Sequence, residues 1–200
     1  MTESSSKTEQ GVPPRASDEQ LMLTFVQGSV EAFDELFQRY KQPLFGFFRR
    51  RVADREQAEE LTQETFVAVL RAKGRYRPTA LFRTYLYAIG CKVLQAYRRK
   101  AAFRATFFVA RKAEPAAHAG SDAGMLLREA VGKLECIDRE ILLLREFEEL
   151  SYAEIAELLQ LPLNTVRSRL FRARMALRDL LTSPMPKRVA NGLTELEERA

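Results

Sequence analysis

The sequence predicts an all-α protein made of two small helical domains joined by a flexible linker, the second being a helix-turn-helix domain. Three observations predict this fold class: apolar residues recur at helical spacing in several segments, no run alternates convincingly with a period of two, and periodicity is lost between about residues 103 and 121. The 200 residues are 46% apolar and 30% charged, a composition typical of globular domains with their own cores.

The first domain is expected at residues 17–100, after a flexible polar tail at residues 1–16. Ser17–Gln20 has the pattern of a capping box and predicts the start of a helix of about ten residues, which Gly28 ends. Ser29 is expected to cap a second helix that Pro43 kinks or divides. The apolar residues at helical spacing before this proline are Phe33, Leu36, Phe37 and Tyr40.

Two further helices are expected in the first domain. Asp54–Gln57 resembles a second capping box and predicts a helix that stops near Gly74. Its apolar positions are Ala58, Leu61, Thr65, Val69 and Leu70. Pro78-Thr79 begins a fourth helix that reaches about Lys100. Its buried face is predicted to be Phe82, Leu86, Ile89, Val93 and Tyr97.

The second domain is expected at residues 122–182, after a linker at 101–121. The linker is rich in Ala, Gly and Pro, although three phenylalanines make it too apolar for a fully free tether. Helices are predicted at about 122–135, 138–148, 151–160 and 163–181. Residues 183–200 are expected to form a C-terminal tail.

Charge is segregated along the chain. The formal net charge is +5, but the 49 residues from Thr65 to Ala113 contain no carboxylate and twelve basic side chains. Leu158–Arg178 likewise has five arginines and no acid. Segregated basic stretches are typical of nucleic-acid binding, so two of them suggest two contact sites on one polyanion.

The C-terminal basic stretch has the pattern of a helix-turn-helix. Ser151–Glu154 predicts a capping box at the start of a short helix, and the connection 160–163 is tight. Ala156 is small enough to let the two helices cross closely, and Leu161 and Val166 fill the corner. The N-terminal half of the second helix is then expected to enter the major groove.

The DNA-contacting face of this second helix is predicted from its spacing. Arg167, Ser168, Phe171 and Arg172 share a face that avoids the predicted core positions, which are Val166, Leu170 and Ala173. Arg169 and Arg174 are expected mainly to hold phosphate. The full predicted set is Thr165, Arg167, Ser168, Arg169, Phe171, Arg172 and Arg174. The alternative is a solvated, arginine-rich helix in a bundle.

The helix expected at 79–100 is a second candidate nucleic-acid interface. Basic groups there alternate with aromatic ones, a combination that suits single-stranded nucleic acid because cations follow phosphates and rings stack on bases. The aromatic residues are Tyr76, Phe82, Tyr85 and Tyr87. The alternative is that this aromatic stripe is core.

The residues that several classes of enzyme and metal-binding protein require are missing from this sequence. His118 is the only histidine, there is no CxxC motif, and no glycine-rich phosphate loop is present. We therefore expect no catalytic residue, metal or cofactor. Cys91 and Cys136 are expected to be small buried residues in a reducing compartment. Without a signal peptide or a membrane-spanning run, the chain is expected in the cytoplasm.

Several segments of the sequence together resemble a known family, the bacterial RNA polymerase sigma factors of the extracytoplasmic-function (ECF) group. AFDELFQRYKQPLFGFF resembles the start of the family's first domain, and AEELTQETFVAVLRA is similar to its polymerase-docking helix. FRTYLYAIGCKVLQAYRRK resembles the helix that reads the −10 element and opens the strands. The segment from Leu134 to Leu181 resembles the −35-reading domain almost throughout.

The resemblance implies partners and roles. Residues 17–100 would be a sigma region 2-like domain and 122–182 a region 4-like domain. Partners would be core RNA polymerase, through its β′ clamp and β flap, promoter DNA and an anti-sigma factor. The polymerase-binding residues would be Glu60, Gln63 and Glu64. The −10 and strand-opening residues would be Tyr76, Arg83, Tyr85, Lys92, Arg98 and Arg99.

Three positions of the −10-reading helix depart from the family pattern. The family usually has Trp where Tyr85 stands, Asn near Lys92, and Asp or Asn near Ala96. Lys92 and Ala96 cannot supply the same hydrogen-bonding groups, so this helix is expected to rely more on charge.

Two other function classes stay open at the sequence level. A two-domain helix-turn-helix repressor or activator would need no polymerase, but it would usually dimerise, and no coiled-coil seam is visible. An enzyme that modifies RNA or handles nucleotides could use the basic groove, but its catalytic motifs are missing.

Overall fold

The structure is a computed structural model that describes residues 16–107 and 122–182. The chain divides into two compact units, Met1–Ala116 and Ala117–Ala200. All regular elements in the described residues are helical, so the predicted all-α fold is confirmed. The predicted terminal tails and most of the predicted linker lie outside the described residues.

The first unit contains four α-helices and one short 3-10 helix. They are α1 Asp18–Val26, α2 Val30–Arg49, α3 Arg55–Ala72, the 3-10 helix Lys73–Arg75 and α4 Phe82–Phe107. The second unit contains α5 Asp122–Lys133, α6 Cys136–Glu146, α7 Tyr152–Leu159 and α8 Leu163–Thr182.

Helix starts follow the local sequence closely. Ser17 and Ser151 each form a full capping box, because the side chains of Gln20 and Glu154 reach back to the cap backbone. Ser29 caps α2 through the amide of Ala32. Asp54 caps α3, but the box there is incomplete: Gln57 instead accepts a 2.5 Å hydrogen bond from the hydroxyl of Tyr97.

Helix α2 is continuous through Pro43, so the proline does not divide it. Pro43 lies on the exposed side, whereas Leu44, Phe47 and Phe48 immediately beyond it are buried. Burial of these large side chains outweighs the local cost of a proline inside the helix.

The core of the first unit is strongly aromatic. The Phe47 ring lies edge-on to Phe48 of the same helix, with 5.0 Å between centroids, and 5.4 Å from the tilted ring of Tyr87, so aromatic rings join α2 to α4. Phe66 of α3 packs edge-on against Phe37, with 4.8 Å between ring centroids.

The bounds and buried face of α4 differ from the prediction. It begins at Phe82 and continues to Phe107, so the first seven residues of the predicted linker are helical. Ala101 and Ala102 are strong helix formers that favour this extension. Phe82 and Leu86 are buried as predicted, but Leu94 is buried in place of the half-buried Val93.

The second unit is built around α8. Its three buried residues, Val166, Leu170 and Ala173, lie on one side of the helix and match the predicted core positions. Helix α6 contributes a run of buried apolar residues at 141–144. The expectation that both cysteines are buried is wrong for Cys136, which is exposed as the first residue of α6.

Candidate nucleic-acid and protein interfaces

Helices α7 and α8 form a tight corner. Gln160 ends α7 in the left-handed conformation (φ 55°), which turns the chain sharply. The amide of Leu161 then donates to the carbonyl of Ala156 at 2.9 Å. The carbonyl of Pro162 accepts from the amides of Thr165 and Val166, which starts α8. This geometry is that of a helix-turn-helix.

The side of α8 away from the core is polar and accessible. Arg167, Ser168 and Arg172 are exposed, and Phe171 is 64% exposed despite its large apolar ring. Thr165 is half-buried, and its carbonyl accepts a 3.1 Å hydrogen bond from the hydroxyl of Ser168. An arginine-rich face at the start of a second helix is suited to the major groove.

Arg169 and Arg174 have acidic partners on α6. Arg169 donates to Asp138 at 2.8 Å, and Arg174 donates to Glu146 at 2.5 Å. The Asp138 hydrogen bond raises the pKa of Arg169, and the Glu146 hydrogen bond raises the pKa of Arg174. Both arginines lie at the borders of the buried face of α8. Their hydrogen bonds to Asp138 and Glu146 link α8 to α6.

A second accessible basic surface lies on α4. Lys92, Arg98 and Arg99 are exposed, and no carboxylate lies within α4. Arg83 and Tyr85, near the start of the helix, are half-buried. Burial raises the pKa of the Tyr85 phenol above its ordinary value.

Tyr76 is 3% exposed and lies beneath this surface. Its ring packs against Tyr85 with 5.0 Å between centroids and against Phe82 with 6.5 Å. Phe82 and Tyr87 are buried as well. The predicted aromatic stripe is therefore mostly core, and Tyr85 alone of its four residues is partly accessible. In this position Tyr76 supports the ring of Tyr85 and offers no face of its own to a base.

The exposed side of α3 combines acidic and apolar residues. Glu60, Gln63 and Glu64 are exposed. Val67 and Leu70 continue the same side of the helix and are 40% and 39% exposed. Leu70 repeats with the apolar positions of α3 in the sequence but is exposed, whereas Val69 beside it is fully buried. Spacing of four and seven residues from Gln63 was the available signal for this apolar extension.

No group of three or more side chains in the described ranges could hold a metal ion. Within residues 16–107 and 122–182, no helix is long and apolar enough to cross a membrane.

Both units match known families. Residues 36–104 match the family described as Sigma-70 region 2, and residues 124–177 match Sigma-70, region 4. The first match contains the surfaces on α3 and α4, and the second contains the helix-turn-helix. The chain therefore carries two sigma-factor regions in the order that the sequence resemblance implied.

Comparison with curated relatives extends the match over most of the chain. The RNA polymerase sigma-H factor of Pseudomonas aeruginosa is 34% identical over 176 residues, covering 80% of this chain and 91% of the relative. The ECF RNA polymerase sigma-E factor of Haemophilus influenzae is 30% identical over 179 residues, covering 79% and 92%.

A solved structure agrees with these relatives. The chain superimposes on CnrH, solved in complex with the cytosolic domain of CnrY, with a TM-score of 0.67 and 26% identity, covering 83% of this chain and 97% of CnrH. The families, relatives and fold agree with one another. The chain belongs to the ECF group of the RNA polymerase sigma-factor family and is a DNA-binding factor that acts with core RNA polymerase at promoters to direct transcription initiation.

Proposed function

We propose that this sigma factor divides its work among three surfaces: α8 reads the −35 element, α4 reads and opens the −10 element, and α3 binds core polymerase. The observation that carries the proposal is the exposed face of α8. Arg167, Ser168, Phe171 and Arg172 are all accessible there, while the opposite side of the helix is packed against its own unit.

Recognition of the −35 element follows from the chemistry of that face. Arginine can form two hydrogen bonds with guanine, serine can donate or accept, and an aromatic ring can contact the thymine methyl group. Arg167 and Arg172 are our candidates for base contacts, with Ser168 and Phe171 in the same groove. Thr165, near the start of α8, is proposed to contact the sugar-phosphate backbone of the DNA. Because Arg169 and Arg174 are paired with acids of α6, we propose that they mainly hold α8 in place beside the DNA phosphates.

The −10 element is proposed to meet α4. The exposed cations Lys92, Arg98 and Arg99 would follow the phosphates, and the accessible part of the Tyr85 ring would contact an unpaired base. Arg83 lies two residues before Tyr85, in the first turn of α4. Tyr76 is assigned to support Tyr85 from below, on the basis of the 5.0 Å ring contact.

Core polymerase is proposed to bind α3 through its β′ clamp. Exposed acidic residues beside apolar ones provide both electrostatic steering and desolvated contact area. Glu60, Gln63 and Glu64 would supply the polar part, and Val67 and Leu70 the apolar part. The β flap would bind the second unit.

The remaining proposals concern organisation and partners. We infer functional domains at 17–100 and 122–182, a linker at 101–121, tails at 1–16 and 183–200, and a cytoplasmic location. The similar protein CnrH is solved with the cytosolic domain of CnrY, which supports an anti-sigma partner for this chain as well. The chain would act by binding alone, without covalent chemistry.

The proposal is tested by mixing the purified chain with core polymerase. Co-purification, followed by transcription in vitro from a promoter that core polymerase alone does not use, is the expected result. Binding of duplex DNA without any effect on polymerase would instead favour the repressor interpretation.

A further inference from the structure

One turn of α1 contacts both α2 and α4 in the first unit. Asp18 accepts hydrogen bonds from Arg39 and from the hydroxyl of Tyr40, both on α2. The next residue, Glu19, accepts a 2.8 Å hydrogen bond from the backbone amide of Phe82. The two adjacent carboxylates therefore connect α1 to α2 and to the beginning of α4.

Phe82 is the first residue of α4, and its amide has no acceptor within its own helix. The preceding residue, Leu81, occupies the N-cap position, because its carbonyl accepts the first helical bond, from Tyr85. A leucine side chain cannot accept a hydrogen bond, so α4 has no side-chain cap at this residue. Glu19 supplies the missing acceptor from a helix 63 residues away.

The charge of Glu19 also suits this position. No acidic residue lies in the first turn of α4, where Arg83 places a positive charge at the positive end of the helix dipole. The carboxylate of Glu19, on α1, compensates for the missing acid and for the positive charge of Arg83. The same turn carries Tyr85, so any movement of this helix start moves the residues proposed to meet the opened strand.

We propose that Glu19 is a positioning residue for promoter opening: its carboxylate caps α4 from α1 and fixes the turn that carries Arg83 and Tyr85. The inference rests on the proposed function of α4. It extends that function to a residue of α1 that contacts neither DNA nor polymerase in the proposed assembly.

The test uses holoenzyme reconstituted from core polymerase and the full chain. A promoter is first selected with wild-type holoenzyme from a randomised duplex library, and 2-aminopurine is then placed in its −10 region. Fluorescence reports strand opening, while core binding and binding of the −35 duplex are measured separately. If wild-type holoenzyme opens no promoter, the proposed function itself fails, and this outcome is distinct from any effect of Glu19.

Three variants isolate the hydrogen bond. Glu19→Ala removes the acceptor and should slow opening about fivefold, the fold-change that corresponds to about 1 kcal/mol, the usual stability cost of a lost helix cap. Glu19→Gln keeps an acceptor oxygen and should retain most of the rate. Asp34→Ala removes an exposed acid from α2 and should open the promoter as the wild type does. Core binding and −35 binding should be unchanged in all three variants.

A fourth variant separates positioning from stability. In Glu19→Ala combined with Leu81→Asp, the new aspartate can cap α4 from within its own helix. We expect this double variant to regain the melting temperature but not the opening rate, because the connection to α1 is still missing. Recovery of both properties, normal opening by Glu19→Ala, or equal defects in Glu19→Gln and Glu19→Ala would overturn the proposal.

Discussion

Arg169 of α8 donates a hydrogen bond to Asp138 of α6 at 2.8 Å, and this pair lies beside the face proposed to read DNA. The Asp138 side chain is 12% exposed and that of Arg169 is 24% exposed. Such a partly buried pair fixes the rotation of α8 relative to α6, because both side chains leave water to form it. The face of α8 that is proposed to read DNA is thus oriented by a contact that lies beside it.

Removing the carboxylate of Asp138 should loosen α8. We expect Asp138→Ala to leave Arg169 without its main partner and to lower the melting temperature of this unit by about 5 °C. Hydrogen–deuterium exchange of the full chain should show faster exchange in α6 and α8 only. Unchanged exchange in α8 would mean that the pair does not hold the helix.

Arginines on the two sides of α8 should respond differently to truncation. Arg172→Ala should cost roughly 1–3 kcal/mol in −35 binding and relax the preference at one base position, whereas Arg169→Ala should mainly reduce stability. The measurement is binding to a −35 duplex library at several salt concentrations. Arg128→Ala, which removes an exposed charge from α5, is the matched control.

The opposite pattern would contradict this assignment. If Arg172→Ala left affinity and base preference unchanged while Arg169→Ala altered preference, the DNA-reading face of α8 would have been placed on the wrong side.

Local sequence signals predicted the helix-turn-helix well. Ser151 and Glu154 lie three residues apart, and the core positions Val166, Leu170 and Ala173 repeat within two turns, so both patterns depend only on neighbouring residues. The all-α fold followed from the same kind of local periodicity.

Contacts between different structural elements could not be predicted from the sequence patterns. Tyr76 is buried because Phe82 and Tyr85 cover it, and no spacing rule connects a loop residue to the helix that follows it. The acidic partners of Arg169 lie 31 and 34 residues earlier in the chain, so its charge alone suggested phosphate binding. Charge predicts that a residue binds a polyanion only if no internal acid already pairs with it.

Charge reversal on α3 should weaken polymerase binding. We expect Glu60→Lys with Glu64→Lys and Gln63→Ala to raise the Kd for core polymerase about tenfold or more, because the new charges repel a surface complementary to acids. Asp34→Lys with Glu157→Lys changes the net charge equally at other exposed positions and should bind normally. Equal effects in both variants would indicate a nonspecific charge effect.

The apolar part of the α3 surface gives a separate prediction. Val67→Ala with Leu70→Ala should weaken binding of core polymerase without altering charge, since the two side chains are 40% and 39% exposed and can contact a partner. A thermal melt should show that the variant is still folded at the temperature of the binding assay. Normal polymerase binding by this variant would restrict the docking surface to its acidic residues.

Limited proteolysis should separate the two units. We expect the first cuts between Ala101 and Gly124, and within that range after Phe107, because α4 protects the backbone up to this residue. Mass spectrometry of the fragments locates the cuts. A single resistant fragment that spans residues 101–124 would contradict the proposed linker.

This chain is proposed to give core polymerase a promoter preference through two separate DNA contacts. The most direct measurement is transcription in vitro from a randomised duplex library, with sequencing of the templates that are transcribed only when the chain is present. We predict two enriched sequence blocks, the upstream one relaxed by Arg172→Ala and the downstream one by truncation of Tyr85. A single palindromic block, or transcription that does not depend on the chain, would contradict the account.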